Sequence, residues 1–298
     1  MKWQGRRKSS NIEDRRGRSG SFGGGGISPL ALGMIMRFLF SKTGLVVAGI
    51  FILIMWATGT NPLSLLQQFN GGGGMGATTA ASYQGTPEED SLAEFSAVVL
   101  QDTEDIWNQL LQGYREPTLV LFKGSVQSAC GSATSASGPF YCPGDEKLYI
   151  DLSFYEELKD RFNAPGDFAQ AYVIAHEVGH HIQKLMGITD KVHNLQGQVS
   201  QEEYNRMSVR LELQADFLSG VWAHHAKNTL NILDEGDIEE ALTAASAIGD
   251  DRIQRQTQGQ VIPDSFTHGT SEQRMRWFKK GFDTGDLSQG DTFNAEVL

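Results

Sequence analysis

From residue 87 onward the apolar positions follow two rhythms. Six stretches repeat at three- and four-residue spacing and predict helices: Pro87–Leu111, Ser153–Phe162, Phe168–Met186, Glu202–Lys227, Asp237–Arg255 and Ser271–Lys280. Two short runs, Thr118–Phe122 (TLVLF) and Lys147–Leu152 (KLYIDL), predict strands, the second by its alternation. The pattern describes a mixed α/β domain rich in helix, with a small sheet.

The segment before it has a different pattern. Gly44–Trp56 (GLVVAGIFILIMW) carries no charge. Extended to Thr43–Thr60 it comes near the lower limit of length for a transmembrane helix. The upstream run Pro29–Phe40 is apolar but broken by Arg37, which suits the membrane interface. Met1–Ser28 is basic and rich in glycine and serine, and predicts disorder. Gly71–Gly74 and the small residues around it predict a flexible linker. The expected organisation is a disordered basic cytoplasmic tail over 1–28 and a membrane segment over 29–60, with its transmembrane helix at about 43–60. A linker over 61–86 and a folded domain over 87–298 follow.

Charge sharpens this picture. Residues 1–43 hold nine Lys/Arg and two acids, a net of +7; the remainder holds 16 and 34, a net of −18, which together make the chain's −11. Positive charge on the N-terminal flank places that flank in the cytoplasm and the domain outside it, as a single-pass membrane protein. A cleaved signal peptide is the rival reading, since Ala57-Thr58-Gly59 has small residues at cleavage-like spacing. The long N-terminal region favours the uncleaved anchor. The acidic domain argues against a nucleic-acid partner, because phosphate binding needs a basic face. The only two cysteines, Cys130 and Cys142, bracket a Gly/Ser/Ala-rich loop. In an exported domain they predict a disulfide, worth roughly 3 kcal/mol in the chain-entropy account.

The chemistry sits in His176-Glu177-Val178-Gly179-His180. On a helix, positions i and i+4 lie about 40° apart, so the two imidazoles can share one ion. Glu177 projects beside them, where a carboxylate can take a proton from water on the metal. Gly179 costs the helix roughly 1 kcal/mol against alanine. Such a glycine implies room kept for a neighbouring backbone or ligand. Asp167 is a candidate N-cap for this helix and Gly187 a candidate stop.

A catalytic zinc needs a third protein ligand and an open position. Glu212 supplies one, and Asp216, one turn on, can accept the second ring N–H of a ligating histidine. Iron or manganese could also bind such a set; the H-E-x-x-H context favours Zn²⁺. His268 stands in a loop (Thr267-His-Gly-Thr-Ser) and could stabilise an oxyanion beside the metal, with Arg274 able to tie that loop down. His181, His193, His224 and His225 read as surface or packing residues.

Three motifs in order, HEVGHHIQ, RLELQADFLSGVWAH and HGTSEQRMRWFKKGF, resemble the bacterial neutral zinc metallopeptidase family, membrane-anchored members of the wider zincin group. The likeness covers almost the whole chain. It implies His176, His180 and Glu212 as metal ligands and Glu177 as the base of a zinc-dependent endopeptidase acting on protein or peptide substrates. By analogy with zincins, the strand Lys147–Leu152 is the candidate to pair with an extended peptide. The alternative is a membrane-anchored zinc-binding assembly or chaperone-like factor with little turnover.

Overall fold

The structure is a computed structural model that describes residues 1–17, 83 and 85–298. The two predicted strands become the centre of a four-stranded sheet. Its strands are β1 (Ile12–Asp14), β2 (Thr118–Phe122), β5 (Phe140–Cys142) and β6 (Lys147–Asp151). Their spatial order is β1-β2-β6-β5, with β5 alone antiparallel to its neighbour. Between β2 and β5 the chain forms a small hairpin of β3 (Ser125–Ser128) and β4 (Gly131–Thr134). Side chains alternate across the sheet. Leu119, Leu121, Leu148 and Ile150 face the helices, while Val120, Phe122 and Tyr149 pack with Val126 and Cys142 on the other face. Two buried faces explain why the central strands are almost continuously apolar.

Eight α-helices occur among the described residues. They are α1 (Pro87–Leu110), α2 (Ser153–Asp160), α3 (Asp167–Leu185), α4 (Ile188–His193), α5 (Gln201–Asn228), α6 (Asp237–Ala247), α7 (Asp250–Gln258) and α8 (Ser271–Thr284). Helix α1 opens with a capping box between Thr86 and Glu89, with Pro87 in the first turn. Its Phe95, Val99, Leu100, Ile106 and Trp107 enter the core. Helix α3 lies at the centre and packs on α5 and α6. Helices α5 and α8 approach most closely through two glycines. A side chain at Gly220 would meet the carbonyl of Phe278, and one at Gly281 the carbonyl of Phe217. That approach carries Arg274 of α8 to the middle of the molecule.

Several expectations change. The predicted helix over 237–255 is two helices. The chain turns after Ala247 because Asp250 and Asp251 leave the axis to accept backbone N–H groups from Thr267, His268, Gly269 and Ser271. Gly166, not Asp167, is the N-cap of α3. The strand Lys147–Leu152 is not an edge; β6 lies between β2 and β5, so the sheet's edges are β1 and β5, and β5 is the one beside it.

The largest correction concerns the basic tail. Residues 1–17, expected to be disordered, fold onto the domain. Ile12–Asp14 pair in parallel with Leu119–Leu121. Trp3 packs edge-on against Phe95. The positive charges find acidic partners: Arg6 with Asp102, Arg7 with Asp105, Lys8 with Glu94, and Arg16 with Asp14 and Asp90. The opposite charges of tail and domain thus serve their own contact. The expected transmembrane helix at 43–60 and nearly all of the linker lie outside the described residues. Among the described residues no helix is long and apolar enough to cross a membrane.

Candidate metal centre and cleft

Nearly every face of α3 is buried, so its polar side chains must find partners inside. His176 donates from Nδ1 to Asp216 Oδ1 at 2.9 Å. His180 donates from Nδ1 to Gln183 Oε1 at 2.9 Å. Each acceptor oxygen fixes the tautomer, because neither can donate. Both Nε2 atoms then carry lone pairs, and both point at Glu212 of α5. His176 Nε2 is 3.2 Å from Glu212 Oε2, and His180 Nε2 is 3.4 Å from Oε1.

Three acceptors aimed at one another repel unless a cation lies among them. The separations match the edge of a tetrahedron of ligands about 2 Å from an ion, roughly 3.3 Å. The donor set, two imidazoles and a carboxylate, suits zinc. The electrostatics of the three groups point the same way, since each favours positive charge among them. Burial opposes charge on His176, but Asp216 outweighs it and raises its pKa to about 9. Burial would likewise raise the Glu212 carboxyl, yet the two histidines hold it well below its ordinary range.

Asp216 is fully buried and is the hub behind the candidate ligands. Besides His176 it accepts from Tyr172 Oη at 2.5 Å and from Arg274 Nε and Nη2 at 2.8 and 3.0 Å. Burial would raise its pKa, but the Arg274 charge keeps the carboxyl below its usual value. On the other ligand, Gln183 passes its amide to the Leu211 carbonyl at 2.7 Å and to Gln214 at 3.1 Å. Gly179 lets these groups meet. A Cβ there would stand 3.0 Å from the Ala215 carbonyl oxygen of α5, so the room it keeps is for a helix backbone.

Glu177 faces a cleft of about 540 Å³ shared with His176, His180, Glu212 and His268. Among the described residues its carboxylate accepts no hydrogen bond. His268 sits on the loop before α8. Asp250 Oδ2 accepts from the backbone of Thr267, His268 and Gly269 at 2.7, 2.6 and 3.1 Å. Asp250 Oδ1 lies 3.3 Å from His268 Nδ1. Burial lowers the tendency of His268 to be charged, but the Asp250 hydrogen bond raises its pKa above the ordinary value.

Phe140 and Tyr141 of β5 also line the cleft. This strand is anchored at its middle and its C-terminal end. Cys142 forms the expected disulfide with Cys130, Cα–Cα 5.8 Å. Tyr141 Oη donates to His181 Nδ1 at 3.0 Å, while His181 Nε2 donates to the Arg115 carbonyl at 2.6 Å. His181 is therefore a packing residue. His224 and His225 bond the carbonyls of Phe282 and Gly285 near the end of α8, and His193 lines the cleft rim.

The structure brings together His176, Glu177, His180, Glu212, Asp216 and His268. Arg274 reaches Asp216 rather than the His268 loop side chains. Gln183, Tyr172 and Asp250 were not foreseen. Gln183 lies three residues after His180 and Tyr172 four before His176, so helical spacing could have found both. Nothing local points to Asp250, which reaches its loop across 17 to 19 residues.

This is a helix-rich α/β protein whose HExxH helix and a neighbouring acidic helix converge on a candidate metal position. Residues 1–293 match the family described as "Putative neutral zinc metallopeptidase", and the chain belongs to that family. It is 48% identical over 304 residues to "Uncharacterized protein YpfJ" of Escherichia coli (strain K12), covering 100% of both chains. It is 44% identical over 203 residues to "Uncharacterized protein Rv2575" of Mycobacterium tuberculosis (strain ATCC 25618 / H37Rv), covering 65% of this chain and 68% of the other. No solved structure matches the chain.

Proposed function

We propose that this protein is a zinc-dependent endopeptidase of the zincin type, acting outside the cytoplasm on protein or peptide substrates. The observation that supports this best is the convergence of His176, His180 and Glu212 beside a Glu177 carboxylate with no protein partner among the described residues. Those three residues would hold the ion. When bound, zinc polarises a carbonyl oxygen and lowers the pKa of a water molecule towards about 7.

The chain's own residues do the rest. A peptide lies extended along the free edge of β5, pairing through its main chain. Glu177 takes a proton from the attacking water and delivers it to the leaving nitrogen. His268, with Nδ1 turned to Asp250, offers Nε2 to the carbonyl oxygen as its negative charge grows. Asp216 and Gln183 hold the two imidazoles in the tautomer that leaves Nε2 available. The Cys130–Cys142 disulfide supports an oxidising compartment. The apolar stretch 43–60 supports attachment to a bilayer.

The test compares the full chain with Glu177→Gln for zinc content and cleavage of an unstructured protein. The variant should keep one zinc per chain and lose turnover by about 10²–10⁴-fold. Equal cleavage by both forms would remove Glu177 from the reaction. Zinc without cleavage in either form would leave the assembly-factor reading in its place.

A further inference from the structure

The N-terminal segment bears on how the protein meets a membrane. Residues 1–17 and the residues from Tyr83 onward form one compact unit. The contact is extensive. The Lys2 N–H donates to the Ile232 carbonyl at 2.7 Å, and the Ser9 N–H to the Ala97 carbonyl at 3.0 Å. The Leu119 N–H donates to Asn11 and the Arg15 N–H to Leu121, so β1 is bound into the sheet at both ends. Ser9 and Asn11 both donate to Glu104, and Arg6 donates to the buried Asp102. Without the segment these two carboxylates would lie in the core with their donors gone, which is costly.

The points where the described chain stops and resumes touch each other. A Cβ placed on Gly17 would stand 2.5 Å from the Cβ of Tyr83. The Arg16 guanidinium lies 5.2 Å above the Tyr83 ring, and Tyr83 Oη donates to Glu89, which caps α1. The apolar run 44–56 falls between these two stems. A hydrocarbon core is about 30 Å thick, so stems in side-chain contact cannot stand on opposite faces of it.

We infer that residues 1–17 and the domain from Tyr83 onward occupy the same side of any membrane the protein meets. The single-pass arrangement, with the tail inside and the domain outside, is incompatible with β1 in the sheet. Of the basic residues before the apolar run, only Arg37 and Lys42 stand close enough to act as its flank. Arg6, Arg7, Lys8 and Arg16 are instead matched by Asp102, Asp105, Glu94 and Asp90 of α1. If the disulfide places the domain outside the cytoplasm, the N-terminal segment is outside with it. The inference concerns sidedness alone and holds whether or not the zinc site is active.

The experiment uses full-length protein in bacterial membranes with one added cysteine, either Ser10→Cys or Lys279→Cys, both exposed positions. The native cysteines are paired and do not react. A membrane-impermeant maleimide is applied to right-side-out and to inverted vesicles, with sealing checked by a cytoplasmic marker protein. Both positions should label in the same orientation and both should be protected in the other. Labelling of the two positions in opposite orientations would overturn the inference. As a second reading, Lys8→Cys with Glu94→Cys should be bridged within one chain by a membrane-permeant bis-maleimide long enough to replace the two side chains, because Lys8 and Glu94 meet at their tips. Failure to cross-link in a folded, zinc-loaded protein would overturn it as well.

Discussion

The two walls of the cleft are held by different means. Behind the ligands, Asp216 is fully buried, ionised and hydrogen-bonded to three side chains from two other helices. Across the cleft, the His268 side chain is 52% exposed and depends on one carboxylate, Asp250, for the shape of its loop. The first arrangement fixes atoms to within hydrogen-bond tolerance, as an ion requires. The second leaves a loop that can tighten when a substrate arrives, which suits a group that acts only on developing charge. Position is invested in the ligands and adaptability in the substrate-facing side.

The comparison is broken most severely at Asp216. In Asp216→Ala the Arg274 guanidinium remains buried with its counter-charge removed. Loss of about 3–5 kcal/mol in urea denaturation is expected. Zinc affinity, measured by chelator competition, should fall about 10–100-fold because His176 loses its orienting acceptor. A variant that unfolds at the wild-type midpoint would show that the network contributes no rigidity.

A second variant tests the other wall. His268→Ala should lower kcat by about 10²–10³-fold, with zinc content and unfolding midpoint unchanged. Loss of zinc on this change would make His268 part of the ligand wall and dissolve the distinction.

The smallest effect belongs to Asp250→Asn. On the proposed role His268 aids a growing oxyanion as a cation, so that help should be present at low pH and lost as pH rises through its pKa. Burial opposes the charge, and the Asp250 carboxylate raises the pKa in spite of it. Removing that carboxylate's charge should move the basic limb of the kcat–pH profile to lower pH while zinc stays bound. An unchanged basic limb would detach His268 from that limb.

Much of the ligand wall was legible in the sequence, and little of the other. His176, Glu177, His180, Glu212 and Asp216 lie on two long helices with regular spacing, so local geometry sets which of them share a face. The hydrogen bonds of Asp250 cross from the first turn of one helix to the loop before another, and no periodicity encodes them. The strands show the same divide. A short apolar run revealed β2 and alternation β6, but the three-residue β5 was too short to show a pattern, so the peptide-binding edge was assigned to β6. The N-terminal segment misled because its composition suggests solvation. Its partners are acids on α1, on the far side of the apolar run and the glycine-rich stretch.

Strand β1 also bears on how the molecule assembles. It is among the first parts of the chain synthesised, yet its partner β2 begins at Thr118. The sheet closes only after a loop of about a hundred residues has been drawn in, a pairing of high contact order that slows folding. Until then β2 offers bare N–H and C=O groups along one side, open to a strand from another chain. A chain without its N-terminal segment would keep that edge permanently, so the unit that folds cleanly needs residues 1–17 as well as the helices where the hydrophobic rhythm starts.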